Sequence, residues 1–241
     1  MWLQIITFSA LAIYATSIDP ETFLTKYGYY NPFAFDGKSG LEDAVKSYQE
    51  FSGLPQTGVV DAETKKEMKK PRCGMSDLQI STNAYFKTTT KWHKSKLTYY
   101  IYKGASDMAM FNIRKFLRWS FGVWAEVTNL EFEEIYEDKA DMRIGWEKGN
   151  HGDGSSFDGS GGTLAHAFYP PHGILHFDGA ETWGRGLAGT DFYSVAIHEI
   201  GHALGLKHSK VRGSIMWPTY SRLTKLHQDD IDGIQSLYGK K

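Results

Sequence analysis

A single cysteine, Cys73, is present among 241 residues, so no disulfide can form within the chain and that one thiol needs a reason of its own. Net charge is absent too: 27 basic residues against 28 acidic ones leave −1. Such a balance carries no electrostatic footprint for nucleic acid or an anionic membrane. Beyond the first seventeen residues no apolar run is long enough to span a bilayer. Internal repeats, low-complexity tracts, furin-type basic sites and Asn-x-Ser/Thr sequons are all missing. What remains is ordinary for a folded globular chain, with 41% hydrophobic, 23% charged and an ample 15% aromatic residues.

The N-terminus runs Met1-Trp2-Leu3-Gln4-Ile5-Ile6 through Ala15-Thr16-Ser17 and turns polar at Asp19. It is too short to cross a membrane and reads as a secretory signal over 1–17, although it lacks a basic n-region. Residues 18 to about 70 are helical in pattern: Leu41, Ala44, Val45, Tyr48 and Phe51 share one face. Asp61 is placed to cap a helix running through Lys70, where Pro71 stops it. So few residues bury little, and a small helical unit leaning on something larger is expected.

The texture changes from Lys96. Leu97–Tyr102, Leu130–Glu134 and Asp141–Trp146 read as strands, with a long aromatic helix over Met108–Thr128 between them. Residues 149–190 are dense in glycine, histidine and aspartate, and so long a segment needs ions to fold it. Two further helices follow, near Ser194–Leu204 and Asp229–Tyr238.

The chemistry concentrates in His198-Glu199-Ile200-Gly201-His202-Ala203-Leu204-Gly205-Leu206-Lys207-His208. Two histidines four apart on a helix project from one face and can share an ion. Glu199 sits beside the first, where it can take a proton from metal-activated water. Gly205 can adopt the left-handed conformation that ends the helix and turns the chain back. His208 then becomes the third zinc ligand, and a fourth position stays open. A bare His-Glu-x-x-His arises by chance in roughly one chain in a hundred of this size; the glycine and third histidine cut that several hundredfold.

With Ser214-Ile215-Met216-Trp217-Pro218 following, and Ser209 directly after the third histidine, the sequence resembles the matrix metalloproteinases, the matrixin branch of the metzincins. The resemblance runs from about Phe23 to Gly239. It implies an α+β fold: a small helical, peptidoglycan-binding-like propeptide over 18–79, then a catalytic domain over 80–241 with a twisted mixed five-stranded sheet and three helices. Met216 is the expected methionine of the turn beneath the zinc. Because the chain stops soon after its last helix, the form expected is a minimal, matrilysin-like one without a hemopexin-like domain.

The resemblance also gives the thiol a role. Pro71-Arg72-Cys73-Gly74-Met75-Ser76-Asp77 is similar to the family's cysteine switch, in which Cys73 fills the zinc's fourth position and Arg72 pairs with Asp77. Ser76 stands where the family usually has proline, and a looser loop is expected from it. His151, Asp153, His166 and His176 match a closed structural zinc site. Asp158, Gly159, Gly161 and Thr163, with Asp178 and Glu181, match a calcium site. Asp141 alone does not make a second calcium site, because Gly173-Ile174-Leu175 runs straight into His176. Leu164 and Ala165 are expected to pair with extended substrate. Ser194, Pro218 and Tyr220 should shape the pocket for the residue after the cut, with Leu223 and Leu226 as apolar lining.

The function expected is therefore a secreted, extracellular zinc endopeptidase made as a latent zymogen. It should carry two zinc ions and at least one calcium ion, and act as a monomer on extracellular or matrix proteins. An activating protease is its other expected partner, with a first nick at Lys38-Ser39 and a final terminus near Gln79 or Ile80. Nucleic acid and a transmembrane anchor are not expected. The alternative is a decayed, metal-stabilised binding or adhesion protein; turnover of a peptide by the trimmed form separates the two.

Overall fold

A computed structural model describes residues 19–33, 40–78, 90–186 and 189–241. The expected signal segment, the Lys38-Ser39 bond and the expected new terminus near Gln79 or Ile80 lie outside these residues.

Three short helices open the described chain. In α1, Pro20–Lys26, the Asp19 carboxylate accepts from Thr22 N–H at 3.0 Å, and Pro20 occupies a first-turn position where no N–H is needed. The predicted apolar face of α2, Leu41–Phe51, is buried at Ala44, Val45, Tyr48 and Phe51. Asp61 caps α3, Ala62–Met68, through Thr64 N–H at 2.8 Å. That helix stops at Met68 rather than at Lys70, because a residue before proline is pushed out of the helical region. The three pack around a core of their own, reaching from Phe23 to Met68, with edge-on aromatic pairs such as Phe23 and Tyr48 at 5.2 Å.

A second, larger core follows. Its sheet is built from β2 (Lys96–Ile101), β3 (Glu131–Glu134), β4 (Met142–Glu147), β5 (Thr163–Ala167) and β6 (Ile174–Asp178), in the order β5-β6-β4-β2-β3. Only β5 and β6 are antiparallel; the other pairs among these five are parallel. This is the mixed five-stranded sheet that was expected. The edge strand β3 carries Glu131 and Glu133 outward, and charge there discourages pairing with another chain. At the opposite edge a sixth strand, β1 (Arg72–Cys73), lies parallel to β5. It comes from the expected switch segment, so that segment is built into the sheet.

Three helices complete this unit: α4 (Met110–Ala125), α5 (Phe192–Ala203) and α6 (Gln228–Tyr238), with a small β7–β8 pair (Trp183–Gly184, Thr190–Asp191) leading into α5. Helix α5 is apolar nearly all round and is buried accordingly. Trp124 of α4 donates its indole N–H to Ile197 O at 3.0 Å, locking the two helices in register. A side chain at Gly201 would collide with Met216 and Trp124, so glycine is what lets both pack against the helix.

Candidate active site

Asp191 caps α5 through Ser194 N–H at 3.0 Å and sets where the helix starts, hence which way its histidines point. The helix ends as the sequence foretold. Gly205 takes φ +106°, its N–H reaches His202 O, and Leu206 N–H reaches Gly201 O. The chain then swings back and delivers His208. Ligand atoms of Cys73, His198, His202 and His208 all lie within 4.8 Å of one another, and all four residues are buried.

Orientation is set from behind. His198 Nδ1 lies 2.7 Å from Ile215 O and His202 Nδ1 lies 2.7 Å from Leu206 O. Both contacts assign the proton to Nδ1 and free Nε2. Those two Nε2 atoms face each other at 3.1 Å, and Cys73 Sγ stands 3.5 Å from the second. Lone pairs converging without a proton between them repel unless a cation sits among them, so the donor set fits zinc. Burial holds all three imidazoles below their ordinary range, His198 at about 3, in the neutral form a metal requires.

Glu199 is fully buried, and neither carboxylate oxygen has a hydrogen-bond partner. Burial pushes its carboxyl up to about 8, with the Cys73 thiol pulling the other way. A carboxyl beside the cluster with no partner of its own is placed to exchange a proton with a group bound there.

The switch segment fills a cleft with two walls. On one side Arg72 N–H donates to Gly162 O and Gly74 N–H to Ala165 O, each at 2.8 Å. On the other, Cys73 N–H donates to Pro218 O at 2.9 Å and Tyr220 N–H to Pro71 O at 2.8 Å. Leu164 and Ala165 thus present a pairing edge opposite Pro218 and Tyr220. A pocket opens beside the cluster, lined by Leu164, Ser194, Val195, Tyr220 and Leu223 among others. Leu226, expected there, packs against the main core instead. Ser194 is held by its own bond to Asp191 O at 2.9 Å.

Arg72 and Asp77 pair at 2.5 Å with almost no exposure. Burial raises the Asp77 carboxyl, but Arg72 and then His208 outweigh it and hold it at about 2. Ser76 is better tied than expected. Its hydroxyl lies 3.0 Å from Tyr27 O and 2.5 Å from Leu78 O, so it can donate to either and fasten the loop to α1.

The second cluster is tighter. Asp153 Oδ2 lies 2.8 Å from His151 Nε2, 2.8 Å from His166 Nε2 and 2.9 Å from His176 Nδ1. A tetrahedron with metal bonds of about 2.0–2.1 Å has edges of about 3.3 Å, and His176 Nδ1 lies 3.3 Å from His166 Nε2 and 3.1 Å from His151 Nε2. Asp158, Asp178 and Glu181 are looser. Asp158 accepts from Thr163 N–H at 2.9 Å, Glu181 accepts from Gly161 N–H, and one Asp178 oxygen is buried without a partner. Burial raises Asp178 and Glu181, and the neighbouring carboxylates add to it. Gly159 and Gly161 take φ of +89° and +86° and give the loop its turns. Asp141 is occupied by Thr98 N–H at 2.8 Å and Lys94 at 2.6 Å.

One supporting residue escaped the sequence reading. Asp230, 2% exposed in the first turn of α6, accepts from Ile215 N–H and His227 N–H at 2.8 Å, from Met216 N–H at 3.1 Å, and from the Ser214 hydroxyl. It pins the turn that carries Met216 under α5 and Ile215 O behind His198. An acid in a helix's first turn usually signals only a favourable dipole, so nothing local marked it.

Comparison with known proteins agrees with this geometry. Residues 91–239 match the matrixin peptidase family, and residues 21–68 match a putative peptidoglycan binding domain. Macrophage metalloelastase of Rattus norvegicus is 45% identical over 206 residues, covering 83% of this chain and 44% of that protein. The hatching enzyme of Paracentrotus lividus is 40% identical over 227 residues, 91% of this chain and 38% of that one. Metalloendoproteinase 1-MMP of Arabidopsis thaliana is 40% identical over 248 residues, 91% and 68% respectively. The chain thus spans less than half the length of the first two. With the matrixin match running through both histidine clusters, the chain belongs to the matrixin family of zinc metalloendopeptidases.

Proposed function

We propose that this chain is a secreted zinc endopeptidase held latent by its own propeptide, residues 18–79, with extracellular or matrix proteins as substrates. The observation that carries this reading is the convergence of Cys73 with His198, His202 and His208 while its backbone fills the β5 edge. A thiol in that place excludes both water and substrate. Zinc, bound by the three histidines, supplies a Lewis acid and an acidified water. The protein's own work is positioning and proton transfer. Glu199 accepts a proton at its free carboxylate and passes it to the leaving amine nitrogen. The β5 edge at Leu164 and Ala165 aligns an extended peptide by backbone pairing. The pocket bounded by Ser194, Pro218 and Tyr220 takes a large apolar side chain.

His151, Asp153, His166 and His176 hold a second, structural zinc, and the 158–163 loop with Asp178 and Glu181 holds calcium. The enzyme acts as a monomer, and a separate protease starts activation. Among the described residues no helix is long and apolar enough to cross a membrane. Nothing in the site favours a decayed binding protein, since Glu199 and every ligand are in place.

One experiment tests the reading. The full-length chain should leave a fluorogenic peptide uncut, Cys73→Ser should release activity, and adding Glu199→Ala should then remove it by several orders of magnitude with zinc still bound. A wild-type precursor as active as its trimmed form sinks the latency reading. A double variant keeping more than about a tenth of the released activity sinks the role of Glu199.

A further inference from the structure

Each metal-facing imidazole needs an acceptor behind its Nδ1 to present Nε2. His198 and His202 take theirs from Ile215 O and Leu206 O, both within the catalytic unit. His208 differs. Its Nδ1 lies 2.7 Å from Asp77 Oδ1, and both side chains have no solvent exposure. The contact is a close ion-pair approach, oblique to the imidazole N–H direction, and neither ring nitrogen of His208 makes a hydrogen bond within the described residues. At that separation no water can enter between the two groups, which leaves the Asp77 carboxylate to face Nδ1. Asp77 is itself fixed three ways: Arg72 at 2.5 Å, the Tyr29 hydroxyl at 2.7 Å, and its own N–H on Tyr27 O at 3.0 Å.

We propose that Asp77 is a positioning residue for the metal centre of the latent form, holding His208 with Nδ1 protonated and Nε2 turned to the metal. The inference rests on the latency reading above. The propeptide then grips the centre twice: Cys73 occupies the cluster, and Asp77 orients one of its permanent ligands. Removing the propeptide takes away both, so the mature enzyme binds its metal less tightly than loss of the thiol alone explains. Outer-shell partners of ligating histidines typically change metal affinity about 10–100-fold.

The test measures zinc affinity of the full-length chain by chelator competition, in a Cys73→Ala background that removes the thiol. Adding Asp77→Asn should weaken zinc binding about 10–100-fold, and Asp77→Glu in its place should recover part of the loss. Adding Ser76→Ala instead, which loosens the same loop without touching Asp77 or His208, should leave affinity close to that of Cys73→Ala. NMR should show a slowly exchanging His208 Nδ1–H in the Cys73→Ala chain and lose it with Asp77→Asn. Equal affinities with and without Asp77→Asn overturn the proposal. A loss with Ser76→Ala as large as with Asp77→Asn also overturns it, since the effect would then belong to the loop. Trimming converts every variant to the same mature chain, so unequal affinities after trimming would expose misfolding as the cause and overturn it too. Failure of the latency reading shows elsewhere, as peptide hydrolysis by the untrimmed wild type.

Discussion

His151 and His176, the ends of the loop cluster, are 25 residues apart, whereas Cys73 and His202 are separated by 129. Both clusters gather four donors around one point, and both rest three of them on imidazoles. The loop cluster draws its fourth donor, Asp153, from the same short stretch as the others, so closing it orders little chain. The catalytic cluster draws its fourth from a segment that follows another core, across an interface that includes the β1–β5 pairing, Phe51 stacked on Trp217 at 6.0 Å, and Lys26 on Thr163 Oγ1 at 2.7 Å. A ligand tethered locally is permanent, while one delivered by a separate unit can be withdrawn. Chemistry needs the second kind.

The sharpest way to break this comparison is to delete the fourth donor from each cluster in turn. Asp153→Ala should lower zinc content from two ions to one per chain and cost about 3 kcal/mol or more, read by elemental analysis and thermal unfolding. Cys73→Ser should keep both ions and change the melting temperature of the catalytic unit little. Equal losses in the two variants would erase the distinction drawn here.

A smaller effect probes the support beneath the open cluster. Asp230→Ala strands buried N–H groups of Ile215, Met216 and His227, each costing about 1–3 kcal/mol before relaxation. A net loss of about 3 kcal/mol is expected in denaturant unfolding, together with weaker zinc retention. Lost stability with unchanged zinc affinity would mean that the turn does not position His198.

The smallest expected effect concerns the cleft. Ser194→Arg places a long cation at the pocket beside the cluster, and peptide-library cleavage should shift from large aliphatic residues just after the cut toward smaller ones, by about tenfold. Zinc content should stay at two ions. An unchanged preference would move the pocket wall away from Ser194.

Much of the site was legible because its information is local. The spacing of His198, Glu199 and His202 is a helix repeat, Gly205 announces its own conformation, and a lone thiol in a chain of this size asks for a partner. Asp61 and its helix were legible for the same reason. What stayed hidden depends on segments distant in sequence. Nothing near Asp77 says that His208 will lie against it, and nothing near Asp230 says that three backbone N–H groups will converge on it. Ser76 shows a third kind of limit: the missing proline was visible, yet the Tyr27 carbonyl that its hydroxyl reaches comes into range only when α1 docks.

The order of these parts along the chain has a consequence for biosynthesis. A ribosome releases the helices around Tyr48 and the thiol of Cys73 before it releases any of the three metal-binding histidines, and Asp230 follows them all. Domains fold from the N-terminus as they emerge, and the buried residues of the small core, Phe23 to Met68, all leave the ribosome before the larger core begins. The turn under α5, by contrast, has no anchor until α6 arrives. During synthesis, therefore, the segment that the latency proposal makes an inhibitor emerges before the histidines that it would cover.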